Sequence, residues 1–238
     1  MITRKIIDYA KSQPIFGLRD IYEHFDGDAD INRHTVSWYL TKLTASGVLN
    51  RVGHGKYAKQ NKREFKIKPT DSQCIIIKKT KQKFPLARFC IYDGNVINPL
   101  LQHLAANNIT YIETEREAVS SVFNFLRDNG YKAFLRPTRE LIYNYIDLSQ
   151  PAIFVKPLTT ESPVTECNGI LVPTLEKLLV DLQKDKDFFY LQDSEGVNII
   201  RNAFELYAVN ESRLLRYAGR RGIREEVLTV INSIKSND

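Results

Sequence analysis

The sequence predicts an α+β protein: an N-terminal winged helix-turn-helix, then a mixed α/β domain that ends in a helical lobe. Three observations predict this. From Leu18 to Lys59 a short amphipathic helix, a polar turn, a longer helix and two short strands around Gly53-His54-Gly55 follow one another. From 84 to 195, short runs rich in β-branched and aromatic residues alternate with segments of helical periodicity. From Gly196 onward the periodicity is helical to the polar end at Ser236-Asn237-Asp238.

With 238 residues there is room for two domains, placed at 1–66 and 67–238, the second divided into a sheet-and-helix part (84–195) and a helical lobe (196–238). A composition 43% hydrophobic and 26% charged is that of a globular protein with an ample core. Cys74, Cys90 and Cys167 are few and widely spaced, which indicates neither a disulfide framework nor a zinc site. No apolar run reaches the roughly 18–20 residues of a membrane span, and MITRKIIDYAKSQ lacks the apolar segment of a signal peptide. A cytoplasmic location is expected, with no membrane partner.

The net charge of +6 is unevenly placed. Residues 1–83 hold 17 Lys and Arg against 8 Asp and Glu, whereas residues 84–238 hold 17 against 20. The excess positive charge therefore travels with the N-terminal module and its connector, as binding to a phosphate backbone requires.

The module is built as follows. A first helix is expected over Thr3–Lys11, and Pro14 and Gly17 punctuate the chain before the second. Leu18, Ile21, Tyr22 and Phe25 then recur at i, i+3, i+4 and i+7. Asp26-Gly27-Asp28-Ala29-Asp30 makes the turn. It is no calcium loop, because the twelfth position counted from Asp26 is Ser37 rather than a bidentate Glu. Asn32 is placed to cap a third helix over Arg33–Ser46. Val36, Leu40 and Leu43, with Tyr39, share its inner face, opposite His34, Trp38 and Thr41, with Arg33, Ser37 and Lys42 at the flanks. A recognition helix needs this division: one side buried, the other carrying donors, acceptors and charge for base edges and phosphates. Gly47 is a fitting C-cap, and the two strands of the wing carry Arg51, His54, Lys56 and Lys59. The candidate DNA-binding residues are thus Asn32, Arg33, His34, Ser37, Trp38, Thr41, Lys42, Arg51, His54 and Lys56. The partner is double-stranded DNA.

In the connector, Cys74-Ile75-Ile76-Ile77 reads as a short strand between lysine-rich flanks. Those lysines serve either as guards against strand aggregation or as an extension of the DNA footprint. Glu64-Phe65-Lys66 has the Glu-x-Lys form of some nuclease sites but no acidic partner at a convincing distance upstream.

Beyond it, strands are expected at Arg88–Tyr92, Thr110–Glu113, Ala133–Leu135, Ala152–Val155 and Gly169–Val172. Helices are expected at Val96–Leu104, after a Thr114-x-x-Glu117 capping box, at Thr138–Tyr145 and after Thr174. In the last, Leu175, Leu178, Leu179 and Leu182 form the inner stripe, and Glu176 and Asp181 read as its solvated edge. No phosphate loop, dinucleotide fingerprint, zinc-protease motif or nucleophile elbow occurs. The four histidines are scattered, so no catalytic residue, metal site or cofactor is expected, and the chain reads as a non-enzyme. The segment ESRLLRYAGRRGIREEV gathers Arg213, Arg216, Arg220, Arg221 and Arg224. They form either an exposed surface for anionic groups or ion pairs with Glu211, Glu225 and Glu226.

HTVSWYLTKLTASGVLNRVGHGKYA, PTLEKLLVDL and NESRLLRYAGRRG together resemble the AbiEi-type antitoxins of type IV toxin–antitoxin systems. The resemblance implies repression of the protein's own operon through the winged helix, read on promoter DNA as inverted repeats. It also implies opposition to a nucleotidyltransferase-like toxin without need of a stable complex, with the C-terminal arginines on the antitoxic surface. The reading YIETEREAVSSVFNFLRDNGYKAFLRP departs from that pattern. A nucleic-acid-processing enzyme targeted by the winged helix, and a winged helix that binds protein, are the alternatives.

Overall fold

The computed structural model describes residues 2–13, 15–27, 33–59, 62–101, 107–191 and 194–236. They form a mixed α+β structure of two compact units, residues 1–64 with 204–212, and residues 65–203 with 213–238. The segment 204–212, assigned from sequence to the helical lobe, instead clusters with the first unit, where Arg63 and Tyr207 form a parallel bridge. No helix among the described residues is long and apolar enough to cross a membrane.

The first unit runs α1 (Ile2–Ser12), β1 (Phe16–Gly17), α2 (Leu18–His24), α3 (Arg33–Ala45), β2 (Leu49–Gly53) and β3 (Lys56–Lys59). The strands form an antiparallel sheet in the order β1-β3-β2. Ile6, Tyr9, Phe16, Ile21, Val36, Leu40, Leu43 and Leu49 make its core, so the inner stripe of α3 is buried at helical spacing. Gly47, at φ +73°, ends α3: its N–H donates to Thr44 and that of Val48 to Leu43, satisfying carbonyls left open by the helix end. Gly55, at φ +66°, makes the tip of the β2–β3 hairpin. Asn32 and residues 28–30 of the expected turn lie outside the described residues.

The second unit opens on a helix where a strand is expected. Residues 74–77 are not a strand; they lie in α4 (Asp71–Lys83). Thr70 and Gln73 form a reciprocal capping box, and Gln73, Ile76, Ile77 and Thr80 are buried at i, i+3, i+4 and i+7. The four-residue apolar run hid a helical period that extends to polar residues on either side. After it come β4 (Phe89–Asp93), β5 (Ile109–Thr114), α5 (Val119–Asp128), β6 (Ala133–Leu135), α6 (Arg139–Tyr145) and β7 (Ala152–Pro157). They are followed by β8 (Val164–Cys167), β9 (Ile170–Pro173), α7 (Leu175–Lys184), α8 (Ser194–Leu206), α9 (Glu211–Arg221) and α10 (Arg224–Ser236). Six strands form one mixed sheet in the order β6-β7-β5-β4-β9-β8, with β6, β7 and β5 mutually parallel.

Three further expectations are corrected. The helix over 96–104 is a 3₁₀ segment, Gly94–Leu100, with Pro99 inside it; residues 102–106 lie outside the described set. Thr114 opens no capping box: it closes β5, and α5 starts only at Val119, after a turn in which Glu115 accepts the Arg88 N–H. The polar connection before β9 contains a strand, β8, joined to β9 by Asn168-Gly169 with both residues at positive φ, the pair that a tight hairpin turn favours.

Strand alternation positions the site. One face of the sheet carries Phe89, Ile91, Ile112, Ile153 and Val155 against α4 and α5. The intervening residues, Tyr92, Tyr111, Glu113, Phe154 and Lys156, point to the other face. There they meet Lys177 of α7 and Phe188 of a second 3₁₀ segment, Lys186–Leu191.

Candidate functional site

In the first unit, α3 presents one dry and one wet face. Val36 and Leu40 are fully buried, whereas Trp38 is 57% exposed, with His34, Ser37, Thr41 and Lys42 exposed beside it. The Lys42 Nζ stands 4.9 Å from the centre of the Trp38 ring, and Tyr39 meets that ring edge-on at 4.9 Å. The Thr41 hydroxyl donates to the Ser37 carbonyl at 2.9 Å. Arg33 begins the helix. On the hairpin, Arg51, His54 and Lys56 are exposed, and Arg51 Nε donates to the Gly53 carbonyl at 3.4 Å.

In the second unit, α7 is buried from Leu175 to Leu182 on every side, including Glu176, Lys177 and Asp181. Glu176 and Asp181 are therefore not a solvated edge. The Lys177 Nζ lies 2.7 Å from a Glu113 carboxylate oxygen on β5 and 2.5 Å from Asp181. Tyr92 donates to Glu113 at 3.1 Å, and Tyr217 of α9 donates to Asp181 at 2.9 Å. Arg221 donates to Asp181 at 2.5 Å and also holds Asp185. Lys156, at the end of β7, reaches Asp185 at 2.7 Å and Asp187 at 2.9 Å, with its ammonium 4.9 and 5.3 Å from the ring centres of Tyr111 and Phe188. Four carboxylates and three cations thus form one connected network.

Neighbouring charges outweigh burial at Lys177, Lys156 and Asp185, and burial prevails at Glu113. Burial alone pulls the Lys177 and Lys156 ammoniums down, yet Asp181 and Glu113 around the first, and Asp187, Tyr92 and Asp185 around the second, raise both well above the usual lysine range. Burial raises Glu113, with Lys177 and Lys156 opposing it. Asp185 goes the other way: Lys156 and Arg221 overcome its burial and hold it at about 2. A depressed carboxylate contributes stability above its unfolded pKa and loses it as pH falls through the folded value. The stability difference between the wild type and Asp185→Asn should accordingly be full above pH 4 and shrink between about pH 4 and 2, measured by urea denaturation across that range.

A cavity of about 210 Å³ opens beside the network, lined by Glu113, Arg136, Lys156, Thr159, Asp187 and Arg221, among others. Arg136 adopts φ +43° directly before Pro137, and its N–H donates to the Val155 carbonyl at 3.0 Å.

The C-terminal arginines do not form one free surface. Arg221 belongs to the network, Arg213 lies 3.5 Å from Glu176, Arg220 holds Glu161, and Arg224 pairs with Glu225 at 2.9 Å. Arg216 is exposed. Acidic residues distant in sequence take most of them. The PTLEKLLVDL and NESRLLRYAGRRG stretches meet here, through Asp181 with Tyr217 and Arg221.

A protein-family model, DUF6577, described as a family of unknown function, matches residues 35–237. The chain belongs to this family. None of the curated proteins matches it. The DUF6577 match takes in α3 from Thr35, with Ser37, Trp38, Thr41 and Lys42, and the whole buried network. Among the described residues no group of three or more His, Cys, Asp or Glu is arranged to hold a metal ion.

The network was missed in the sequence although it left signals. Lys177 and Asp181 are spaced i, i+4 on a helix. Lys156 and Glu113 are single charges inside otherwise apolar strands.

Proposed function

We propose that the first unit is a winged helix-turn-helix that binds double-stranded DNA, and that the protein is a cytoplasmic transcriptional regulator. The observation that carries this is the exposed Trp38–Lys42 face of α3, set opposite a fully buried Val36–Leu40–Leu43 stripe. A large aromatic with a cation over it, beside His34, Ser37 and Thr41, offers stacking, charge and hydrogen-bonding groups on one helix face. The hairpin adds Arg51, His54 and Lys56, which suit phosphate contacts. The basic excess of residues 1–83 supports the same partner. On this reading the protein represses its own operon, and the likeness to AbiEi-type antitoxins supports a role against a nucleotidyltransferase-like toxin.

The test is a gel shift on the DNA upstream of its own gene at several salt concentrations. Log K should fall linearly with log salt, by about 0.9 per phosphate neutralised. Lys42→Ala and Lys56→Ala should each weaken binding and reduce that slope by about 1. No shift of the upstream fragment at low salt would sink the proposal.

A further inference from the structure

We propose that the cavity at the carboxyl edge of the six-stranded sheet is a binding site for a nucleoside phosphate, independent of DNA binding by the first unit. Its lining comes from the ends of three neighbouring parallel strands: Glu113 from β5, Arg136 just after β6, and Lys156 and Thr159 from β7 and beyond. Loops diverge at that edge of a parallel sheet and leave a crevice, which is where such sheets take ligands.

The lining balances three carboxylates, Glu113, Asp185 and Asp187, with three cations, Arg136, Lys156 and Arg221, and one of those cations is open to an anion. Each carboxylate in it already has a cation: Glu113 has Lys177, Asp185 has Lys156 and Arg221, and Asp187 has Lys156. Arg136 alone among the lining cations has no ion pair among the described residues, and it is exposed. Its left-handed backbone, in front of a proline, is costly for a residue with a side chain, and such strain is retained where a side chain must be aimed. An arginine fork suits a phosphate, and Thr159 adds a hydroxyl to the same lining.

The neighbouring segment provides for a base. Arg139 stacks on Phe189 at 4.9 Å, and Tyr143 stands 6.3 Å from the same ring while 77% exposed. An exposed aromatic such as Tyr143, beside an arginine, is a usual platform for a nucleobase. Residues 131–146 carry Lys132, Arg136 and Arg139 against Glu140. A volume of about 210 Å³ is smaller than a typical drug-sized site. It suits phosphate and sugar inside, with the base outside on the aromatic ledge. The ligand is either a free nucleotide or the phosphorylated end of a single strand.

Calorimetric titration of the full chain separates these. The chain carries Lys42→Ala and Lys56→Ala, and the probes are inorganic phosphate, adenosine 5′-monophosphate and a 5′-phosphorylated eight-nucleotide strand. The monophosphate should bind saturably, and Arg136→Gln should weaken it at least tenfold. Tyr143→Ala should weaken the monophosphate about fivefold and leave inorganic phosphate unchanged. A strand that binds tenfold tighter than the monophosphate identifies a strand end; equal or weaker binding identifies the free nucleotide. Absence of saturable binding by every probe at millimolar concentration overturns the proposal, as does binding indifferent to Arg136→Gln in a variant with wild-type circular dichroism. Recruitment of a protein at this ledge without nucleotide binding would overturn it too. The duplex gel shift reports on the first unit separately.

Discussion

Lys177→Met should lower the stability of the second unit by about 3–5 kcal/mol, the cost of leaving buried charges without their partner. The ammonium is 1% exposed and lies between Glu113 and Asp181, themselves 2% and 1% exposed. Methionine keeps the volume but removes the cation between the two carboxylates, leaving Asp181 to Arg221 and Tyr217 and Glu113 to Tyr92 and to Lys156 at 3.9 Å, where water cannot replace the lost donor. Thermal melting should show the unit's transition fall by roughly 6–20 °C, at about 2–4 °C per kcal/mol for a domain of this size. Lys79→Met, on the exposed side of α4, should stay within about 0.5 kcal/mol of wild type. Adding Glu113→Gln to Lys177→Met should recover part of the loss, because the buried charge that has lost its nearest cation disappears. A loss below about 1 kcal/mol for Lys177→Met would mean that the network is not the closed structure described.

The second large effect separates the two faces of α3. Leu40→Ala should destabilise the first unit by about 2–5 kcal/mol, since it removes a fully buried side chain from a packed core. Trp38→Ala, two residues earlier, should change stability by no more than about 0.5 kcal/mol. On the proposed function it should nonetheless weaken DNA binding by about 1–2 kcal/mol, roughly tenfold. Denaturation and fluorescence anisotropy on the same two variants decide the matter. Equal destabilisation by both would show that Trp38 is a packing residue.

Periodicity carried the first unit well because its helices each have one buried face. The stripe of Val36, Leu40 and Leu43 can be read without knowing what it packs against. The same logic failed where burial is not one-sided. α7 is covered on all sides, so its charged residues looked like an ordinary wet edge while they were the centre of an ion network. Residues 74–77 failed for the opposite reason: four apolar residues in a row show no period, and the capping pair Thr70–Gln73 that settles the helix is polar. The Asn168-Gly169 hairpin was legible and was passed over.

Local chemistry therefore determined the succession of most helices and strands, the exposed and buried faces of α3, and the concentration of positive charge in residues 1–83. These follow from neighbours a few residues apart, whose spacing is written in the chain. The partners of the charged residues were decided only by the tertiary structure. Arg221 meets Asp181 and Asp185 from about 40 residues away, and Lys177 meets Glu113 from 64 away. No spacing rule reaches so far, because such pairs exist only once the strands have aligned and α7 and α9 have closed over one face of the sheet.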